Sequence, residues 1–271
     1  MVKLDMVVNG NVFSYCGESA ATSDMDAFKE SRDAFLDAAT AHSDTEHECD
    51  CDCTCACEEP ESSTYVVSTK KVIDGSIEKV MNGIISGEII LNIGDAIMCV
   101  LTGGQRVTFE VTDIDEESYR LEMKELLETM AREDIKEWYV GLYKMFPKTL
   151  RDAVIPTKRK YKKDGDGELK EIDCMLFMPS ASEVFSEEEF EENSWLGDKG
   201  VYKQLDFYKD WRNRIRCTVE DGKPNAWWLL SARAGYSTYF ARVGGSGSCS
   251  NDSATDAWVA APVCFRIRKS R

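Results

Sequence analysis

"AWWLLSARAGYSTYFARVGGSGSCSNDSATDAWVAAPVCFRI", residues 226–267, decides the fold class. Three of its pieces, "AWWLLSA", "TYFARV" and "WVAAPVCFRI", are short apolar or alternating runs set off by Gly and Ser, the pattern of strands. The preceding "YKQLDFYKDWRNRI" reads as helix, and before it "IPTKRKYKK" and "LKEIDCMLFMPS" read as strands around the turn "DGDG". "REDIKEWYVGLYKMF" places Ile135, Trp138, Leu142 and Met145 at helical spacing, and "TLRDAV" adds another turn of helix. "DAIMCVLTGG" and "QRVTFEVTDID" are strands joined at Gly103-Gly104, and "SIEKVMNGIISGE" is a short helix. Helices between β segments, with strands grouped last, give the class α+β.

The front of the chain differs. Residues 1–66 carry 15 acidic and 3 basic side chains, while all six Trp lie after Glu137. Residues 2–15 alternate around Asn9-Gly10, a hairpin signal. Ser23 caps an expected helix through about Ala39, with Asp24 and Asp26 in its first turn and Met25, Phe28, Phe35 and Leu36 as its apolar stripe. A helix and a hairpin alone cannot build a core, so residues 1–41 are expected to serve attachment or oligomerisation, with a homotrimer as the expected state. Residues 42–64 form a Cys-rich acidic linker, and residues 65–271 the main domain.

In that linker Cys49, Cys51, Cys53, Cys55 and Cys57 alternate, with His42 and His47 upstream. On a strand every sulfur would share one face, and zinc or iron is the metal such ligands would take. The spacing is not that of a zinc finger or ribbon, so a metal-free tract is the alternative reading, and the one preferred. "DGDGE", Asp164–Glu168, lacks the remaining ligands of a calcium loop and reads as a hairpin turn. "SEEEFEEN", residues 186–193, reads as a solvated acidic loop.

A net charge of −16 argues against nucleic acid and against anionic membranes as partners. No run reaches a membrane span, no signal peptide is visible, and the odd count of eleven Cys fits synthesis in a reducing cytoplasm. Both histidines precede residue 48, which removes His-based nucleophile pairs from the main domain. No phosphate-binding loop or dinucleotide fingerprint occurs, so no enzyme is expected.

The polar part of the opening stretch has the composition of adaptable binding loops. Tyr supplies contact area at low entropy cost, while Ser, Gly and Asn supply flexible hydrogen bonding. The candidate ligand-binding residues are Tyr236, Ser237, Thr238, Tyr239, Arg242, Ser246, Ser248, Ser250, Asn251 and Asp252. Alternation that turns Ala241 and Val243 inward turns Thr238, Phe240 and Arg242 outward, making Phe240 an exposed anchor.

From about Lys70 to Arg271 the chain resembles a domain family frequent in phages and prophages of gut Firmicutes. The resemblance is carried by "GDAIMCVLTGGQRVTFEVTDID", "FPKTLRDAVIPTKRKY", "MLFMPSASEVF", "YKDWRNRI" and the "AWWLLSA…FARVGGSG…WVAAPVCFRI" frame. It implies a C-type-lectin-like fold, shared with retroelement-diversified target-binding proteins such as phage tropism determinants and with formylglycine-generating-type oxidases. Codon diversification of that kind cannot produce Lys, Glu, Gln, Met or Trp. Those types fill 63 of 271 positions yet are absent from Ser231 to Ala257. Leu230 and Ala232 stand where the family pattern has Arg and Pro, and Ala260-Ala261-Pro262 replaces Val-Arg-Pro. "KPN" at 223–225 is not the Glu-Pro-Asn of calcium-dependent lectins, so calcium-dependent sugar binding is not implied.

The resemblance implies a receptor-binding protein of a phage tail fibre or virion surface, made in the bacterial cytoplasm and carried on the particle. Its expected partners are a bacterial surface protein or glycan as target and other tail or virion proteins, without membrane insertion. A structural virion or cell-surface protein without variable binding is the alternative. An oxidase, which would need a thiol pair near Cys249 and Cys264, ranks third.

Overall fold

The computed structural model describes residues 2–8, 11–17, 71–73, 75–163 and 167–270. The chain divides into two units, Met1–Tyr65 and Val66–Arg271. In the first, strands β1 (Val2–Val8) and β2 (Asn11–Gly17) pair antiparallel with Val8 opposite Asn11, the register of a hairpin. The expected helix at 23–39, the cysteine tract at 49–57 and most of the "DGDG" turn lie outside the described residues.

The second unit is mixed α+β. β3 (Val72–Ile73) is followed by α1 (Ile77–Ser86), which starts where the Ser76 hydroxyl accepts the Lys79 N–H and stops at left-handed Gly87. β4 (Ala96–Val100), β5 (Arg106–Ile114) and β6 (Ser118–Met123) then run as an antiparallel meander. A 3-10 turn at Arg132–Asp134 leads into α2 (Ile135–Met145), and α3 (Lys148–Ala153) runs straight into β7 (Val154–Ile155). β8 (Thr157–Lys162) and β9 (Leu169–Cys174) pair as a separate ribbon. Short helices α4 (Ala181–Val184), α5 (Glu187–Glu192) and α6 (Asp206–Lys209) precede β10 (Arg216–Cys217) and β11 (Pro224–Asn225). The chain then forms β12 (Trp227–Arg233), β13 (Tyr236–Val243), β14 (Cys249–Ser253) and β15 (Cys264–Arg268).

The main sheet has the order β3-β4-β5-β6-β15-β7, antiparallel except for β3 beside β4. The last strand therefore enters between β6 and β7, closing the unit with its two ends in one sheet. Beneath it Phe109, Phe146 and Phe265 pack edge to face at 4.9–5.6 Å. Strands β12, β13 and β14 form a second antiparallel sheet.

β12 divides two cores by its pleat. Trp228 enters the core under the main sheet, where its indole N–H donates to the Met130 carbonyl at 3.1 Å. Trp227 and Leu229 enter a second core with Phe185, Tyr208, Ala241 and Val243, and the Trp227 indole donates to the Arg214 carbonyl at 2.9 Å.

Three local expectations change, and one strand stands where none was expected. "YKQLDFYKDWRNRI" is not one helix but an α-helical turn at Asp206–Lys209 and a 3-10 turn at Trp211–Arg214, because Asp210 takes an extended ψ of 104° between them and its carboxylate accepts the Arg212 N–H. The acidic loop at 186–193 is helix α5, started by a Ser186/Glu189 capping box and anchored by buried Phe190. β14 lies within the stretch read as a loop. β6 has no apolar run to announce it, yet all six of its residues are buried.

Candidate functional site

The hairpin β12–β13 and its neighbour β14 carry the candidate residues, and pleat parity sorts them. Ala241 and Val243 point into the second core, fully buried. Tyr239 shares their parity but lies beyond the core and is 39% exposed. Its ring meets that of Tyr236, 53% exposed, edge to face at 6.3 Å. The Arg233 guanidinium lies 4.7 Å over Tyr236 and reaches Asn251 at 3.4 Å, while Asn251 sits opposite Ala241. Ser237 is exposed beside them. Tyr236, Tyr239, Arg233 and Asn251 thus form one polar–aromatic cluster on a rigid sheet.

Thr238, Phe240 and Arg242 have the opposite parity. Arg242 is paired with Asp252 and lies 4.7 Å over the ring of Trp258, with Ser250 opposite it across the ladder. Its side chain is only 16% exposed, so it acts as a strut between β14 and Trp258. Phe240 is not the exposed anchor that alternation suggested. It packs against the main core and is covered by Arg132, whose guanidinium lies 4.2 Å over the ring and donates to the Leu230 carbonyl at 3.0 Å. A guanidinium therefore reaches position 230 from a distant turn, although the residue there is Leu.

Ser246 and Ser248 are exposed, with hydroxyls 3.1 Å apart, in the turn after β13. Seven strand steps separate Val243 from Tyr236, roughly 23 Å along an extended strand. The ten candidates therefore fall into three places: the tyrosine cluster, the Arg242–Asp252 strut and the serine turn. Arg233 and Trp258, which complete the first two, were missing from the candidates. A strand-end Arg and a Trp beside the apolar "VAAPV" both look like frame residues until the fold exposes them.

A second constellation is entirely internal. Glu183, at the start of α4, accepts from Arg120 Nη1 at 2.6 Å and from both terminal nitrogens of Arg159, with Nη1 at 2.8 Å. Arg120 Nη2 lies 2.8 Å from Glu122, which also binds Arg216, the Tyr208 hydroxyl and the Thr112 hydroxyl. These five charged side chains are at most 4% exposed and join β6, β8, α4 and β10. Arg120 and Arg159 also flank the Phe177 ring, at 5.2 and 4.7 Å. Burial favours the neutral acid, but Arg120 and Arg159 outweigh it and hold the Glu183 carboxyl at about 2. With no opening to solvent, the chain of charges serves as a structural tie. "TKRKYK" carried a trace of it: Arg159 takes the inward position between outward Lys158 and Lys160, where a delocalised fork desolvates more readily than an ammonium.

Among the described residues Cys99, Cys174, Cys249 and Cys264 form no disulfide. Burial pushes the Cys249 thiol to about 11 and the Cys264 thiol higher still, so neither is poised as a thiolate. Among the described residues no group of His, Cys, Asp or Glu could hold a metal, and no helix is long and apolar enough to cross a membrane.

Residues 115–269, more than half of the chain, match the model of a family described as a domain of unknown function, DUF6273. That span runs from the end of β5 through β15 and so includes the whole β12–β13–β14 sheet. No curated protein and no solved structure gives a significant match.

Proposed function

The chain belongs to the DUF6273 family, and we propose from its own surface that it is a target-binding protein, the receptor-binding component of a phage or prophage particle. In this reading the Val66–Arg271 unit is a lectin-like domain that presents the β12–β13–β14 sheet to a bacterial surface protein or glycan. The front unit attaches it to tail or virion proteins and joins three copies. The domain performs no catalysis in this reading.

One observation carries the proposal. Tyr236 and Tyr239 are both exposed on strands whose core-facing side chains, Trp227, Trp228, Leu229, Ala241 and Val243, are entirely buried. Large amphipathic rings with few torsions, held on a rigid frame, bind with little entropy loss. The absence of Lys, Glu, Gln, Met and Trp from Ser231 to Ala257 supports the same reading.

Labelled full-length protein, titrated onto a panel of bacterial strains, tests it. A strain that binds the wild type should lose about 30-fold in affinity for each of Tyr236→Ala and Tyr239→Ala, while the melting temperature stays put. Trp228→Ala, by contrast, should cost about 3–5 kcal/mol of stability. Binding that survives the double tyrosine variant, or tyrosine variants that melt as early as Trp228→Ala, would instead leave a structural virion protein as the reading.

A further inference from the structure

Away from that sheet, in the same unit, a groove of about 550 Å³ opens between α2, the β4–β5 turn and the loops around Leu127 and Val219. Its volume falls in the range of small-molecule sites. Its walls are Leu101, Leu127, Trp138, Leu142, Met145 and Val219. The helix contributes through its period: Trp138, Leu142 and Met145 are spaced i, i+4, i+7 on one stripe. That stripe is core only in part. Leu142 is buried, Trp138 is half-buried, and Met145 is exposed.

Gly141 sits among these residues, on the groove and inside α2. An interior glycine weakens a helix, so its presence calls for a reason. Gly83 in α1 has one: a Cβ there would come within 2.6 Å of the Ile89 side chain. Gly141 has none of that kind, since a Cβ there would meet no atom within 4 Å. The missing side chain leaves space in the groove and relieves no clash.

The polar part of the lining is one-sided. Glu128 and Glu220 stand at the groove with Gln105, and no basic side chain lines it. Both carboxylates are exposed, and neither makes a salt bridge among the described residues. An indole wall, aliphatic neighbours and two carboxylates complement a cation with an apolar body, through ring-face attraction and Coulombic pull together.

We propose that this groove is a binding site for a small organic ammonium ion, with Trp138 as its aromatic wall, Glu128 and Glu220 as its counter-charges and Gly141 as the gap that admits it. The site is separate from the tyrosine cluster and does not depend on the receptor-binding reading.

Isothermal titration of the full chain with choline, beside its uncharged isostere 3,3-dimethylbutan-1-ol, tests the assignment. Choline should bind saturably at millimolar concentration, and the isostere about tenfold more weakly. Glu128→Gln with Glu220→Gln should erase that difference. Gly141→Leu, whose Cβ enters open space, should abolish binding without lowering the melting temperature. Equal binding of choline and isostere, no heat from choline, or undiminished binding in a folded Gly141→Leu protein would each overturn the proposal. Tighter binding of Nα-acetyl-lysine amide, whose free ε-ammonium mimics a lysine within a peptide, than of choline would overturn the small-molecule assignment in favour of a protein segment. Should Gly141→Leu misfold, Trp138→Leu must weaken choline at least as much as the paired Glu substitutions, and unchanged affinity there counts against the site.

Discussion

Glu183 shows how much a single side chain can carry here. It accepts two buried guanidiniums and, through Oε2, the Ser180 N–H at 2.7 Å. Replacing it with Gln keeps the shape but leaves Arg120 and Arg159 buried with less compensating charge. Loss of one partner from a buried ion pair costs about 3–5 kcal/mol. Glu183→Gln should therefore lower the melting temperature by roughly 10 °C. The same residue sets an acid limb. Its folded pKa is depressed from 4.5 to about 2, so its contribution is complete above about pH 4.5 and fades as pH falls towards 2. Asp198, whose carboxyl burial raises, acts in the opposite sense. The readout is accordingly a comparison: denaturant titrations between pH 7 and 2 should show a shallower acid loss for Glu183→Gln than for the wild type. Parallel curves would refute the tie. Arg242 differs from the exposed tyrosines for a related reason. Paired with Asp252 and stacked on Trp258, it should cost stability when cut to Ala, where Tyr236→Ala should not.

At the scale of elements, the turn from Gly244 to Ser248 holds β13 and β14 in register. The Gly244 N–H donates to the Ser248 carbonyl at 2.7 Å and the Gly247 N–H to the Gly244 carbonyl at 2.9 Å. Gly247 sits at φ +83°, and a Cβ there would lie 3.2 Å from the Trp211 carbonyl oxygen. Left-handed backbone alone costs an L-residue about 1–2 kcal/mol, and the carbonyl contact adds to it. Gly247→Ala should thus shift the denaturation midpoint down with the slope unchanged, the mark of lost stability without lost compactness. An unshifted midpoint would mean that the turn yields without strain and does not fix the sheet. The turn itself packs against the Trp211–Arg214 segment, which keeps Ser246 and Ser248 at the end of the strand remote from the tyrosines.

For the whole molecule, the charge is lopsided. Residues 1–66 hold 15 of the 49 acidic side chains against 3 of the 33 basic ones. A section so small and so acidic buries little apolar surface by itself, and association is the physical remedy. Light scattering on the full chain at micromolar concentration should report three times the 30.5 kDa monomer, and a monomer would remove the front unit's proposed role. A trimer would place three tyrosine clusters on one particle, raising avidity without new contacts.

The amino-acid sequence by itself determined what depends on neighbours along the chain. The Ser76 and Gly87 limits of α1, the β4–β5 hairpin, the helical run of α2 and the burial of Trp227, Trp228, Val263 and Phe265 all follow from period, caps and turn residues. The Tyr- and Ser-rich composition of the tail likewise marked out the strands that expose Tyr236 and Tyr239. Tertiary structure alone decided which charges were core. Arg120, Glu122, Arg159, Glu183 and Arg216 each read locally as solvated, and Ser118, Arg120 and Glu122 look like the wet face of β6. They become buried together only when β6, β8, α4 and β10 converge, because a desolvated charge is tolerable only beside its counter-charge. The division of the candidate residues was equally non-local. Pleat parity and the length of β13 send Tyr239 and Arg242 to opposite faces and Ser246 to a far end, and composition encodes neither.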